Sequence, residues 1–258
     1  CFSIGLESQA ASGWPATDWV EDIMLRTAPL EAYDAWINHE IEWTGEEVTR
    51  AWEAFGQIAG NEDYLFGGAA GTVATPFGES ICPLFTDPPG AYLHRQASFI
   101  QSFIADCPGG EALVPGEDYD FFLFPPIDEE FGTPGLGGAD LFVMFGDNEN
   151  ARALMEFLTQ PEAMQGWLDS GGSGIAINNQ FPLDSYPDPL SRRAAELLQQ
   201  VDAFRFDASD QMPGDVNQAF WTGSLNFVQN PDSLADILAE IEAIADQAYG
   251  APEGEDAG

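Results

Sequence analysis

Near the C-terminal end of this chain, Leu234, Ile237, Leu238, Ile241, Ile244 and Ala248 recur at intervals of three and four residues. That spacing lays one apolar stripe along a helix and obliges the helix to find a core for it. The same pattern recurs upstream. Val48, Trp52, Phe55 and Ile58 follow Thr44 and Glu47, a pair spaced as a capping box, and Gly60 ends the run. "DVNQAFWTGSLNFV" places Val216, Phe220 and Phe227 on one face, and "DPLSRRAAELLQQV" opens with Asp188 as cap and Pro189 at the first helical position. "TDWVEDIMLR" predicts a short helix capped by Thr17 with acids in its first turn. Two more are expected from Asn148 to Leu158 and from Pro161 to a stop at Gly171 and Gly172.

Strands are fewer. "DFFLFPP" (120–126) reads as a buried strand stopped by paired prolines, and "ADLFVMF" (139–145) as another, too short and too apolar for a helix. The Gly- and Pro-rich stretch 66–90 is expected to be loop with short strands, and "APEGEDAG" a disordered tail. Helices interleaved with short strands predict an α/β architecture, and no internal repeat is visible.

Of 258 residues, 44 are Asp or Glu, seven are Arg and none is Lys, for a formal charge of −37. A hydrophobic fraction of 45 % marks a folding sequence all the same. Nucleic acid and anionic membrane are poor partners for such a surface, because both would be repelled. The acids are spread along the chain, which suits a solvated surface in a salty, halophilic setting where ions screen the repulsion. No apolar run is long enough to span a membrane.

No catalytic engine is visible. Ser173 lacks the GxSxG frame, the glycine-rich stretches lack a phosphate-loop Lys, and the absence of Lys excludes Schiff-base chemistry. No cofactor and no metal are expected, since Cys82 and Cys107 lie 25 apart with no His partner nearby. One disulfide with a free thiol, or three free thiols, fits the three cysteines equally. Cys1 reads either as a lipid-bearing terminus or, the preferred reading, as an internal residue of a longer chain. The chain does hold aromatic residues beside polar ones in turns: Glu7, Trp14, Asp18 and Trp19, then Tyr92, His94 and Arg95, then Asp140, then Trp221. Aromatic faces suit the C–H patches of a pyranose ring, while carboxylates, His and Arg suit its hydroxyls. Trp19, Trp36, Trp43, Trp52 and Trp167 are expected to pack in the core or between lobes. His39 is expected at the surface or in packing, and Asp207 and Asp210 in turns or caps.

The order "GLES…SGWPATDW", "PLFTDPPGAYLHRQASFI", "GGADLFVMF", "ENARALMEFLTQPEAMQGWLDSGG" and "FDASDQMP…AFWTGSLNFV" resembles the C-terminal part of extracellular solute-binding proteins of carbohydrate ABC importers, the family of maltose- and α-glucoside-binding proteins. The resemblance runs from about Gly5 to Tyr249. It implies a two-lobed, periplasmic-binding-protein-like fold of type II, incomplete here and mostly the helix-rich second lobe. Residues 1–118 would belong to the second lobe, 119–174 would return to the first, 175–249 would complete the second, and 250–258 would be tail. The implied function is capture of a sugar or oligosaccharide by lobe closure, for delivery to the membrane subunits of the importer. Such a receptor would be monomeric at full length and extracytoplasmic, with its export signal upstream. By position, the ligand-binding candidates are Glu7, Trp14, Asp18, Tyr92, His94, Arg95, Asp140 and Trp221. His94 and Arg95 either donate to sugar hydroxyls or clamp nearby acids so that Tyr92 is held. A secreted carbohydrate-active enzyme, or its sugar-binding module, is the alternative.

Overall fold

Helices α8 (Gly214–Gln229) and α9 (Leu234–Gly250) meet where Gly223 faces Ile237 and Ile241; a Cβ on Gly223 would come within 2.9 Å and 3.0 Å of those side chains. The missing side chain thus sets how closely the two helices approach. They form the floor of the main core in a computed structural model that describes residues 1–170, 174–201 and 203–250. The expected stop at Gly171 and Gly172, Ser173, and the tail 251–258 lie outside the described residues.

Around that floor pack α1 (Trp14–Met24), α2 (Leu30–Ile37), α3 (Glu46–Ala59) and α4 (Gly68–Ala74). Val48, Trp52 and Phe55 of α3 are fully buried, as are Val216 and Phe220 of α8, while Phe227 is 2 % exposed. Aromatic rings meet edge to face: Trp43 with Phe220 at 4.9 Å, Trp52 with Phe227 at 5.2 Å, and Trp36 with Trp43 at 5.0 Å. These offset contacts suit the ring quadrupoles and add to large apolar burial. Trp19, Trp36, Trp43 and Trp52 are core residues, as expected. Trp167 is not; it is 57 % exposed on α6 (Pro161–Asp169).

Local signals hold where a side chain reaches its target. Asp188 Oδ1 accepts from the Leu190 and Ser191 N–H groups at the head of α7 (Pro189–Leu198), and Asn148 caps α5 (Glu149–Leu158) through Ala151 N–H. Two caps differ. Helix α1 starts three residues before Thr17, with left-handed Gly13 as cap, and the Thr17 hydroxyl bonds back to the Trp14 carbonyl. Helix α3 is entered through Gly45, because Thr44 turns its hydroxyl to Glu42 and not to the helix N-terminus. Within 66–90, residues 68–74 are helical, against expectation, since this short apolar turn finds α8 to pack on.

The strand expectations fail. Residues 120–126 and 139–145 are extended coil, and Phe122, Leu141, Phe142, Val143 and Phe145 are all exposed. An apolar run becomes a strand only beside a strand that pairs with its backbone, and no described strand pairs with these two. The regular sheet of the described residues is a parallel pair, β1 (Gly135–Gly137) against β2 (Phe204–Phe206), with Gly135 opposite Phe204. The first seven residues instead run extended and bridge singly to Leu65, Leu93 and Pro76.

The cysteines resolve into a Cys82–Cys107 disulfide and a free, exposed Cys1. The disulfide joins a small second core of Ile81, Ile100 and Ile104. Between its ends runs the segment that carries Tyr92, His94 and Arg95. No described helix is long and apolar enough to cross a membrane.

Candidate functional site

The extended opening segment positions two groups of candidate residues. At its start, the Cys1 carbonyl accepts from both the Tyr92 and Leu93 N–H groups at 3.1 Å, and Ser3 N–H donates to Leu93 at 2.9 Å. At its end, Glu7 exchanges backbone bonds with Thr75 and Phe77. The chain then folds into a tight turn. Glu7 Oε1 accepts from Gln9 N–H at 2.8 Å, Ser12 Oγ accepts from Ser8 N–H at 2.9 Å, and Gly13 N–H returns to the Leu6 carbonyl. Gly13 lies directly against the backbone of Trp221, so this turn is seated on α8. Trp14 follows, its ring 5.3 Å from Phe77 and 6.0 Å from Phe99. Glu7 and Trp14 therefore flank a turn that is seated on the α8 backbone at Trp221. Trp221 and Trp14 are half-buried.

Tyr92 is 74 % exposed at the tip of its segment, a free aromatic face on an anchored backbone. His94 beside it turns inward. Its Nδ1 lies 2.8 Å from the Ser3 carbonyl while Nε2 is buried with no partner, so the ring is the Nδ1–H tautomer. Burial pushes its pKa down, and the neighbouring Arg95 charge adds to that. Asp140 stands exposed, three residues past β1, and is not brought against the other candidates.

Arg95 points to acids. Its Nη1 donates to Asp18 Oδ2 at 3.2 Å, and its Nε and Nη2 to Asp22 Oδ2 at 3.3 and 3.1 Å, with the guanidinium 5.9 Å from the Trp19 ring. Burial opposes its charge, but Asp22 and Asp18 more than compensate and raise its pKa. Asp18 and Arg95 are thus given to one another. Beside Tyr92, Arg95 is bonded to Asp18 and Asp22, and His94 to the Ser3 backbone.

Three residues the sequence reading passed over complete this network. Glu21 and Asp22 lie on the same face of α1 as Asp18, Arg26 lies in the turn just after α1, and the three are 0 %, 6 % and 2 % exposed. Arg26 donates to Asp22 and reaches the Phe124 carbonyl at 3.2 Å and the Pro134 carbonyl at 3.1 Å, while its own carbonyl accepts from Asp128. Glu21 accepts from the Ala208 and Ser209 N–H groups at 3.0 and 3.1 Å. One helix and the turn after it therefore catch two separate passages of the chain, 124–134 and 207–209. The signal was present as acids at 18, 21 and 22 on one helical face, followed by Arg26, but a charged face ordinarily reads as solvated. Asp207 does serve a turn, accepting from Ser209 Oγ at 2.7 Å and Asp210 N–H.

Elsewhere, His39, Glu242 and Asp246 bring three ligand-type atoms within 4.8 Å, where the His39–Glu242 contact at 3.1 Å and the Tyr249 ring at 5.2 Å already account for His39. The best-formed groove, about 520 Å³ between α3 and residues 127–129, is lined by none of the candidates.

Compared with known proteins, the chain is 43 % identical over 244 residues to the osmoprotective compounds-binding protein GgtB of Synechocystis sp. (strain ATCC 27184 / PCC 6803 / Kazusa), covering 93 % of this chain and 56 % of GgtB. It is 44 % identical over 244 residues to the alpha-glucosides-binding periplasmic protein AglE of Rhizobium meliloti (strain 1021), covering 93 % of this chain and 52 % of AglE. The chain is a homologue of solute-binding proteins. It spans about half the length of the curated relatives it matches. No protein-family model matches it. The solute-binding-protein fold is matched in solved structures as well. The bacterial solute receptor AcbH, described as preferring β-D-galactopyranose exclusively, superposes with a TM-score of 0.76 at 16 % identity, over 96 % of this chain and 60 % of AcbH. A chitin oligosaccharide binding protein superposes at 0.71 and 13 %, over 97 % of this chain and 60 % of its own. The expected two-lobed fold, present in part and rich in helix, is therefore the fold this chain shares with those solved structures. The relatives are binding proteins by name.

Proposed function

We propose that this chain is the C-terminal portion of a sugar receptor that serves an ABC importer and does no chemistry on its ligand. The observation that carries the reading is the 44 % identity to an alpha-glucosides-binding protein across 93 % of the chain. The ligand would be a sugar or oligosaccharide, the partners the importer's membrane subunits, the location extracytoplasmic, and the full-length receptor a monomer.

In this reading residues 1–118 and 175–249 form the second lobe, and 119–174 return to the first. Two features support that division. Arg26, just past α1, holds the start of the returning segment at Phe124 and Pro134, while Glu21 of α1 holds residues 208 and 209 within the second lobe. The intervening segment exposes Phe122, Leu141, Phe142, Val143 and Phe145, apolar surface that a first lobe would cover. Glu7, Trp14, Tyr92 and Trp221 form the second-lobe wall of the site, and Asp140 approaches from the other lobe. Asp18, His94 and Arg95 lie behind that wall and hold it. The sugar selects the closed arrangement because only there do both walls reach it.

Equilibrium binding to a panel of α-glucosides, with Tyr92→Ala as the matched variant, tests the reading. Saturable binding weakened by the variant supports it; turnover of the sugar would favour a carbohydrate-active enzyme instead.

A further inference from the structure

Asp18, Glu21 and Asp207 bring one carboxylate oxygen each within 4.8 Å of one another. Asp18 and Glu21 come from the buried face of α1, and Asp207 is the first residue after β2, so the cluster is an interface between two elements. The charges around it do not balance. From α1 face Asp18, Glu21 and Asp22; from the turn after it Arg26; from the 91–95 segment Arg95; from beyond β2 Asp207 and Asp210; and from α2 the uncharged phenol of Tyr33. The two guanidiniums are committed to Asp18 and Asp22. Among the described residues no arginine pairs with Glu21 or Asp207. Each Glu21 oxygen accepts one backbone N–H and Asp207 Oδ1 accepts from Ser209 Oγ and Asp210 N–H, neutral donors that leave the two facing carboxylates without a bridging cation among the described residues.

We propose that α1 and the segment leaving β2 are fastened by a proton held among Asp18, Glu21 and Asp207, and that rising pH unfastens them. A protonated carboxyl of α1 donates to the Asp207 carboxylate, turning repulsion between acids into a hydrogen bond. The same cause is visible in the titration of the two α1 acids. Burial, with Asp207 adding to it, holds Glu21 well above the ordinary carboxylate range, and burial likewise raises Asp18 against the pull of Arg95. The proton leaves to solvent when the pH passes that raised value. Between the ordinary carboxylate range and that raised value the folded state keeps a proton the unfolded chain has lost, so stability from this cluster is greatest below about pH 4 to 4.5 and declines as pH rises through the window.

The test uses the folded chain in high salt, which screens the general surface repulsion. Infrared spectroscopy in D₂O at about pH 6, well above the ordinary carboxylate range, reads protonated carboxyls directly. Calorimetric unfolding in buffers of different ionisation heat counts the protons released. The wild-type chain is expected to keep a buried protonated-carboxyl band that disappears at higher pH. Asp207→Asn removes the charge that adds to burial and places an amide donor against Asp18 and Glu21, so the band should fade at a lower pH and fewer protons should be released on unfolding. A folded wild-type chain without the band, or an Asp207→Asn variant with unchanged band and proton release, overturns the proposal. Should Asp207→Asn fail to fold, the wild-type band alone decides.

Discussion

Gly13 packs so tightly against Trp221 that a Cβ built on it would lie 2.3 Å from the Trp221 carbonyl oxygen. Its φ of +111° is also one that side chains rarely adopt. Nothing but glycine can therefore seat the Glu7–Trp14 turn on α8. Gly13→Ala should destabilise the chain by about 2 kcal/mol or more, measured by denaturant unfolding. It should also disturb Trp14 and Trp221 together in the fluorescence spectrum.

Arg95 is argued to brace, and bracing has a testable cost. Arg95→Ala would leave Asp18 and Asp22 facing each other in a buried setting, where removing one partner costs about 3–5 kcal/mol. Arg95→Lys should recover little of it, since an ammonium cannot bond Asp18 and Asp22 with one rigid fork. Urea midpoints of the two variants against wild type check both statements. A near-neutral Arg95→Ala would move Arg95 from the support of the site into its wall.

His94 carries a pH dependence of opposite sign to that of the carboxylate cluster. Its folded pKa lies below the unfolded value of about 6.5, because burial disfavours the cation. The unfolded chain therefore takes up a proton first as the pH falls. Stability from this residue is present above about pH 6.5 and is lost on acidification towards the folded value. Nitrogen NMR of the imidazole should find a larger neutral fraction than in an ordinary histidine at the same pH, with the proton of the neutral ring on Nδ1.

The Cys82–Cys107 disulfide closes a sequence separation of 25 around the Tyr92 segment. A loop of that size is stabilised by about 3 kcal/mol. Reduction, or the paired Cys82→Ser and Cys107→Ser change, should lower the melting temperature and raise hydrogen exchange through 91–104 first. The α8–α9 floor should be affected last, because its core holds neither cysteine.

Much of the helical fold was legible, and the reason is local. Asp188 with Pro189, Asn148, and the stripes of α3, α8 and α9 state their structure in side chains that act within one turn. What could not be read depends on partners distant in sequence. The runs 120–126 and 139–145 have the composition of buried strands, yet no described strand pairs with them. Residues 68–74 are glycine-rich and still helical because α8 lies against them. Thr44 looks like a cap until Glu42 takes its hydroxyl. At the site, the residue types were readable and their roles were not. Arg95 looks the same in sequence whether it meets a sugar or Asp18, and the buried face of α1 carries charges that composition assigns to solvent.

The central claim is that an aromatic and polar wall built on this chain captures a sugar. Tryptophan-fluorescence titration of the full-length natural protein in high salt, against maltose, trehalose, sucrose and longer α-glucosides, tests it most directly. The account predicts a saturable change for at least one of these sugars. Tyr92→Ala, an exposed position whose loss leaves the fold intact, should weaken binding by about tenfold, the worth of one ring–sugar contact, and Trp221→Ala should weaken it further. A flat response to every sugar from a demonstrably folded protein, or binding untouched by both substitutions, would contradict it.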